Sequence, residues 1–440
     1  MALLAHAVID KVVALASGKR IWVAYSGGVD SHVLLHLLAQ SNHPQLENVA
    51  AIHVDHGLNN DSPQWTQHCA HIAEALNIHF VGLKAKVKNI ESLGMEAAAR
   101  EARYLALQNA LSKNDILLTA QHQQDQAETV LLQLFRGAGP KGLSAMASHF
   151  SLGDVQTIRP LLTTPQTDIL AYAQTHQLQW IDDPSNIETR WNRNYIRHKL
   201  WPEIAKRWPS AAQTISRSAA HCAETSELLD DLAEHDCSLL GIDKTSTSLP
   251  VTRLLTLSTA RRNNILRHLF LWLNLPLPST VNLQRIIDEV CLAKQDSTPL
   301  VSWSGVEVRR YQDYLYFMSP LSQHDNKKVL KVNCSQEFSL DDGRCIEWVE
   351  TKGQGIAKDS LSGKVTVRFR QGGERIKPQG EAHHKSVKHL FQQWSVPPWQ
   401  RDRIPLIFCD DKLVAVIGYC IDDLYSVSDG QQGSLPQFKR

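Results

Sequence analysis

The chain has 440 residues, of which 43% are apolar and 21% charged, with 46 Lys and Arg against 45 Asp and Glu. This composition excludes a largely disordered chain. The net charge of +1 also excludes a uniformly basic nucleic-acid-binding protein, so any attraction to a polyanion must come from local clusters of Lys and Arg.

The N-terminus and the cysteines predict a cytoplasmic protein with no membrane partner. In the first 20 residues the charges follow the apolar stretch, which is the reverse of a secretory signal. No apolar run reaches the roughly 20 residues needed to span a bilayer. The eight cysteines are scattered without a Cys-x-x-Cys pair, as is typical of reduced thiols.

Residues 21–159 alternate short β-rich runs with helical stretches, which predicts an α/β domain with a Rossmann-like parallel sheet. The strands are expected at Ile21–Tyr25, Val49–Val54, His79–Leu83, Ile116–Ala120 and Thr157–Arg159. Apolar residues that recur at intervals of three and four residues predict helices at Ser31–Gln40, Gln64–Asn77, Leu93–Leu111 and Gln124–Phe135.

The remaining chain predicts two further modules. A long helical pattern covers Ala211–Leu239, and further helices at Ser258–Leu275 and Val281–Leu292 precede a strand-like stretch at Val301–Met318. His324–Lys331 is polar and has the composition of a linker. Because 440 residues exceed one hydrophobic core, we expect a first domain at 1–215, a helical or α+β middle domain at 216–323, and a small α+β domain at 324–440.

A glycine-rich loop follows the first predicted strand. Ser26, Gly27, Gly28, Val29, Asp30 and Ser31 lie between that strand and a helix. Paired glycines let backbone amides approach phosphate oxygens, serine hydroxyls add hydrogen bonds, and the helix directs its positive end at the anion. The lysine-bearing NTPase loop is absent. The alternative is a tight turn with Asp30 as a first-turn carboxylate.

Polar residues follow two other predicted strands, where the ligand crevice of an open α/β sheet lies. Asp55 ends the second strand, and its alternative role is to cap its own turn. His122, Asp125 and Glu128 stand three residues apart on one helical face. Beside a phosphate loop, Asp30 and Asp125 are candidate Mg²⁺ ligands and Glu128 a candidate base for an amine. The alternative is an ordinary acidic surface.

Three segments are rich in Arg or Lys. Arg100 and Arg103 lie on a predicted helix, where Glu96 pairing with Arg100 on a solvated face is the alternative. Residues 188–217 carry seven Lys or Arg against two Glu, interleaved with Trp and Tyr, as is typical of an RNA-binding surface. Residues 364–403 carry nine Lys or Arg against three acids. The alternative for residues 188–217 is a packed domain joint with solvated arginines around it, and the alternative for residues 364–403 is a solvated basic face.

The Ser-Gly-Gly-Val-Asp-Ser loop resembles that of the ATP pyrophosphatase superfamily, which includes NAD synthetase, GMP synthetase and tRNA-thiolating enzymes. Thiolation is disfavoured because Cys69 is the one cysteine in residues 1–215, and no cysteine stands in the nucleophile pattern of an amidotransferase. Essentially the whole chain resembles the tRNA(Ile)-lysidine synthase family, in the segments Ser26–Ser31, Val54–Leu58, Glu96–Tyr104, His122–Thr129, Arg159–Leu162, Trp180–Asn186, Asn192–Arg197 and Pro397–Pro405.

This resemblance implies an ATP-dependent ligase that adenylates the wobble cytidine of tRNA(Ile) with anticodon CAU and attaches L-lysine to form lysidine. It implies tRNA-binding middle and C-terminal domains. It also implies Mg²⁺ on Asp30 and Asp125, with catalytic roles for these two residues, Glu128 and Arg100. The resemblance further assigns nucleotide contacts to the glycine-rich loop, Asp55 and His122, and substrate contacts to Arg103, Arg193, Asn194 and Arg197.

Two alternatives stay open from the sequence. Another adenylating enzyme of the same superfamily, acting on tRNA or on a metabolite, would carry the same loop. A nucleotide-sensing RNA-binding protein without catalysis would keep the loop but lose the carboxylates, whereas Asp30, Asp125 and Glu128 are all present. The sequence leaves the oligomeric state undecided.

Overall fold

A computed structural model describes residues 2–16, 18–57, 61–88, 90–294, 297–334 and 336–439. The chain forms two compact units, Met1–Asp230 and Asp231–Arg440. The three domains expected from the sequence, at 1–215, 216–323 and 324–440, stay a prediction. No helix in the described ranges combines the length and apolar character required to cross a membrane.

The first unit is built on a six-stranded sheet of order β3-β2-β1-β4-β6-β5. Five strands are parallel, which confirms the predicted Rossmann-like sheet, and β5 is an antiparallel edge strand that the sequence pattern did not reveal. The strands are β1 (Arg20–Ala24), β2 (Val49–Asp55), β3 (His79–Lys84), β4 (Asp115–Leu118), β5 (His149–Leu152) and β6 (Val155–Ile158).

Helices cover the sheet because its central strands are apolar on both faces. Val23, Leu34 and Ile116 lie in the largest core cluster, and Trp22 and Leu117 lie in the cluster on the opposite face. The helices are α1 (Ala2–Ala16), α2 (Val29–Ala39), α3 (Ser62–Ala75), α4 (Ile90–Leu93), α5 (Met95–Ala110), α6 (Gln123–Phe135), α7 (Pro140–Leu143) and α8 (Gln166–Thr175).

A helical arm follows this sheet. It comprises α9 (Asn192–Tyr195), a π-helical stretch at Ile196–Leu200 and α10 (Trp201–Arg207), and it leads into the long helix α11 (Ala211–Leu240). Trp201 is buried with Ala127 of α6 in a small core cluster. The arm is therefore anchored on the helix that carries Asp125 and Glu128.

The second unit contains two groups of elements with separate cores. The first group packs helices on a four-stranded sheet and comprises β7 (Ser248–Pro250), α12 (Val251–Thr256), α13 (Thr259–Trp272), α14 (Thr280–Arg285), a π-helical stretch at Ile286–Cys291, β8 (Leu300–Trp303), β9 (Val306–Tyr311) and β10 (Tyr314–Met318).

The second group is mostly β-structure with two short helices. It comprises β11 (Leu330–Lys331), β12 (Phe338–Ser339), β13 (Cys345–Lys352), β14 (Val365–Arg368), β15 (Arg375–Ile376), β16 (Lys385–Ser386), α15 (Val387–Gln393), α16 (Pro398–Arg401), β17 (Leu406–Cys409), β18 (Lys412–Val416), β19 (Cys420–Ile421) and β20 (Gln432–Phe438).

Candidate active site

The glycine-rich loop lies at the carboxyl end of β1 and requires glycine at position 27. Gly27 has a φ of +86°, which L side chains rarely adopt. A Cβ at this position would lie 2.6 Å from Ile181 Cδ1 and 3.0 Å from Cys69 Sγ. The carbonyl of Gly27 accepts a 2.9 Å hydrogen bond from the N–H of Ile181. The segment that contains Ile181 thus packs against the glycine-rich loop and holds it in place.

The two serines of the loop have different environments. Ser31 is buried, and its hydroxyl donates to Gly28 O at 3.0 Å and accepts from the N–H of Ser26 at 3.2 Å. Ser26 is exposed, with its hydroxyl 3.0 Å from that of Ser31. Ser31 therefore holds the loop in shape. The N–H groups of Val29 and Asp30 open α2, where a helix has no acceptor of its own and an anion binds well.

His122 joins the two predicted metal ligands. Its Nε2 lies 3.8 Å from Asp30 Oδ1 and 3.4 Å from Asp125 Oδ2. Its Nδ1 accepts a 3.2 Å hydrogen bond from the N–H of Gln124, so the proton of the neutral ring is on Nε2. Asp125 in turn accepts from the N–H of His122 at 3.1 Å, which completes a capping box at the start of α6. Asp30 and Asp125 thus both lie close to the same nitrogen, His122 Nε2.

Two arginines of the arm bind the carboxylates of α6. Arg193 contacts Asp125 at 2.9 Å and Glu128 at 3.2 Å, and Arg197 contacts the same two residues at 2.7 and 2.8 Å. Gln124 donates a further 3.1 Å hydrogen bond to Glu128, whose side chain is fully buried. Buried charges are tolerated when paired and hydrogen-bonded in this way.

The electrostatics separate the two aspartates. Burial, opposed in part by His122 and reinforced by Asp125, raises the pKa of Asp30. Burial would also raise the pKa of Asp125, but His122, Arg193 and Arg197 outweigh burial and hold it below its ordinary value. Asp125 is therefore the more readily ionised carboxyl group of the pair.

A Mg²⁺ ion fits this donor set. Asp30 Oδ1 is buried and makes no hydrogen bond. Over the described ranges, no three His, Cys, Asp or Glu residues are preassembled as a metal cage. Mg²⁺ usually binds one or two carboxylates and completes its shell with phosphate oxygens and water, so two aspartates beside a phosphate loop suffice.

Asp55, at the end of β2, caps its own turn with one carboxylate oxygen, and its predicted nucleotide contact stays a prediction. Its Oδ1 accepts a 2.8 Å hydrogen bond from the N–H of Gly57, which is the turn-capping alternative. His53 is buried with its Nδ1 2.9 Å from Tyr25 O. Burial, assisted by the charge of Arg103, lowers the pKa of His56 to about 4.

Arg100 and Arg103 flank one tyrosine of α5. Arg100 donates to the Tyr104 hydroxyl at 3.1 Å, and its guanidinium lies 5.0 Å from the ring centroid. The guanidinium of Arg103 lies 5.8 Å from the same centroid, and burial lowers its pKa. Within the part of the chain that the structure describes, neither arginine pairs with Asp125 or Glu128, and their substrate roles stay predictions.

Asn194 holds the chain rather than facing the carboxylates. Its Nδ2 donates to Ser185 O at 2.9 Å and to Glu188 O at 3.2 Å. His198 lies on the same arm, with its Nε2 2.7 Å from Asn186 O. The arm therefore binds the 185–188 turn through Asn194 and His198, and it binds the carboxylates of α6 through Arg193 and Arg197.

The residue-by-residue reasoning missed three supports of the site. Ile181 packs on Gly27, and Gln124 binds Glu128. Arg159 is buried and donates to Gln121 Oε1 at 3.1 Å and to Ala147 O at 2.6 Å. Ile181 and Arg159 lie in segments that carry the family resemblance, and this resemblance was the sequence signal that could have identified them. Gln124 has no pattern around it that indicates a role in the site.

A parallel α/β sheet, a lysine-free glycine loop and carboxylates across the crevice define an ATP-using PP-loop domain. Accordingly, residues 3–204 match the family model described as "PP-loop domain". Residues 249–316 match "TilS substrate binding domain", and residues 365–437 match "TilS substrate C-terminal domain".

Curated relatives match nearly the full chain. The tRNA(Ile)-lysidine synthase of Coxiella burnetii is 42% identical, over 96% of this chain and 94% of its own length. That of Serratia proteamaculans is 41% identical, over 95% of each. The chain belongs to the tRNA(Ile)-lysidine synthase family and is an enzyme of that type. Among solved structures, the U34-tRNA thiolase NcsA from Methanococcus maripaludis is 20% identical, with a TM-score of 0.42, over 50% of this chain and 78% of its own.

Proposed function

We propose that this chain adenylates the oxygen on carbon 2 of the wobble cytidine in tRNA(Ile) with anticodon CAU, and then attaches L-lysine to form lysidine. Family membership supports the reaction class. The observation that carries the proposal is the meeting of Asp30 and Asp125 at His122, beside the glycine-rich loop and next to Glu128.

In the first step, the cytosine oxygen attacks the α-phosphorus of ATP, and the bond to pyrophosphate breaks. The N–H groups of Val29 and Asp30, at the start of α2, would hold the leaving pyrophosphate. Asp30 and Asp125 would hold Mg²⁺, which when bound neutralises charge on the phosphates. The unpaired Asp30 oxygen supports this assignment.

In the second step, the ε-amine of lysine attacks carbon 2, and the bond from that carbon to the oxygen of AMP breaks. An amine attacks as the free base, so a carboxylate must take its proton, and Glu128 is the candidate. Arg193 and Arg197 balance the charge of Glu128 and fix its orientation. We assign substrate contacts to Arg100 and Arg103, with Arg100 as a catalytic candidate, whereas Asn194 would act indirectly by holding the turn at 185–188.

For the tRNA we propose contacts along the arm and in the second unit. Tyr195 and Trp208 are 49% and 62% exposed and are available for bases, whereas Trp201 is core. Between residues 364 and 403 many cations already have acidic partners, such as Arg370 with Asp402 at 2.8 Å. Phosphate contacts there would rest on the remaining cations. We place the reaction in the cytoplasm, as reduced cysteines favour.

The test measures pyrophosphate release from ATP with transcribed tRNA(Ile) of anticodon CAU, with and without lysine, followed by nucleoside analysis. We expect pyrophosphate release that depends on the tRNA, and lysidine only when lysine is present. A transcript with the wobble cytidine replaced by uridine is the matched control. Activity on a metabolite with none on this tRNA would contradict the proposal and favour another adenylating enzyme.

A further inference from the structure

Phe135, the last residue of α6, carries an aromatic ring that is exposed to solvent. It is 68% exposed, and Arg136 beside it is exposed too. Phe135 follows Glu128 by seven residues, so the two lie on the same face of the helix. At 1.5 Å per residue they are about 10 Å apart along the helix axis. The face that is buried at Glu128 therefore emerges into solvent at Phe135.

The backbone beneath this ring is firmly held. Gly137, with a φ of +69°, follows the C-cap residue Arg136, and the N–H of Ala138 donates to Gln133 O at 3.1 Å. The buried side chain of Gln126 donates to Met146 O at 3.0 Å and accepts from the N–H of Met146 at 2.9 Å. The loop that follows α6 is thus tied back to α6 itself, so the backbone that carries the ring is held in place.

The charge around Phe135 suits a polyanion. Residues 129–153 contain Arg136 and Lys141 and no Asp or Glu. Lys141 is paired with Asp230 at 3.3 Å, which leaves Arg136 as the cation adjacent to the ring. An aromatic ring followed by a guanidinium is a combination that binds unpaired bases, because both offer a flat face for stacking.

We propose that Phe135 and Arg136 form a stacking platform for an unpaired base of the tRNA anticodon loop. This rests on the proposed function, in which the wobble base enters the site at Glu128. When the wobble base leaves the anticodon stack, the neighbouring bases lose a stacking partner. A nearby aromatic ring can take its place as that partner. About 10 Å spans roughly three stacked nucleotides at 3.4 Å each, so the platform lies within reach of the anticodon itself.

The experiment compares F135A, F135W and F135L with wild type in steady-state assays of lysidine formation. L105A is the matched control, because Leu105 is a 56% exposed apolar residue on α5. We expect the KM for tRNA to rise about tenfold or more in F135A and F135L, and F135W to stay within about threefold of wild type. The KM for ATP, the thermal midpoint and the salt dependence of tRNA binding should not change.

The following results would each contradict the proposed stacking role of Phe135. F135A kinetics equal to wild type, an equal loss in L105A, or full rescue by F135L would show that no base stacks on the ring. A concentration-dependent change in sedimentation that F135A abolishes, with unaltered tRNA kinetics, would assign the ring to self-association. If wild type makes no lysidine, the proposed function fails instead, so the two failures are distinguishable.

Discussion

Replacing Arg197 by Met tests whether the arm is held to α6 by charge. Arg197 makes hydrogen bonds of 2.8 Å from Nε to Glu128 Oε1 and of 2.7 Å from Nη2 to Asp125 Oδ1. Met keeps the apolar stem of the side chain and removes both bonds, together with the 2.8 Å bond from Nη2 to Glu128 Oε2. Glu128 is 0% exposed and becomes a buried carboxylate with one arginine instead of two. Removing one partner of a buried pair costs about 3–5 kcal/mol.

The remaining Arg193 reduces that cost. It still reaches Glu128 at 3.2 Å and Asp125 at 2.9 Å, so we expect R197M to lower the free energy of unfolding by about 2–3 kcal/mol. Adding E128Q removes the buried charge, so the double variant should be less destabilised than the sum of the two single variants. Urea unfolding followed by tryptophan fluorescence measures all three.

Arg190 provides the control for this series. It pairs with Glu188 at 2.5 Å, but its side chain is 70% exposed. R190M should therefore change the free energy of unfolding by no more than about 1 kcal/mol. If R197M costs no more than R190M, or if R197M and E128Q are additive, the carboxylates do not depend on the arm and the electrostatic account of the site is wrong.

Three further predictions follow from the site and its core. G27A places a Cβ 2.6 Å from Ile181 Cδ1 at a φ of +86°, so ATP binding measured by calorimetry should be lost, whereas G18A, with no atom near its Cβ, should bind ATP normally. D30N should abolish pyrophosphate release while tRNA retention on filters stays within about threefold; normal turnover would remove Asp30 from its role. Burial lowers the pKa of His36 to about 4, so the neutral ring stabilises the fold above pH 6.5, and stability falls as the pH drops from 6.5 to 4. The loss should be about 1–2 kcal/mol after allowance for its exposure, and H36Q, which cannot gain that proton, should show a flatter acid limb in urea titrations.

Much of the first unit follows from local sequence patterns. The alternation of short apolar runs with helical periodicity predicted all five parallel strands to within a few residues, because strands that helices cover on both faces must be apolar throughout. The edge strand His149–Leu152 and the helix Gln166–Thr175 escaped prediction. Both elements are short, and the few buried side chains of the helix, such as Ile169 and Tyr172, give only a brief apolar period.

The sequence by itself determined the nucleotide loop and the identity of the carboxylates. A strand, two glycines and a helix in succession fix a phosphate site through backbone geometry alone, and Asp125 and Glu128 share a helical face by their spacing. What each side chain contacts was decided by tertiary structure. Arg193 and Arg197 bind carboxylates that precede them by more than 60 residues, and Asn194 between them holds a turn instead.

The same limit applies to Asp55 and Ile181. The sequence left open whether Asp55 caps its own turn, and only the position of the Gly57 amide showed that one of its carboxylate oxygens does. No local pattern reveals that Ile181 closes the space behind Gly27, because that contact joins segments more than 150 residues apart. Local periodicity encodes elements and faces, whereas pairing between distant segments depends on how the whole chain packs.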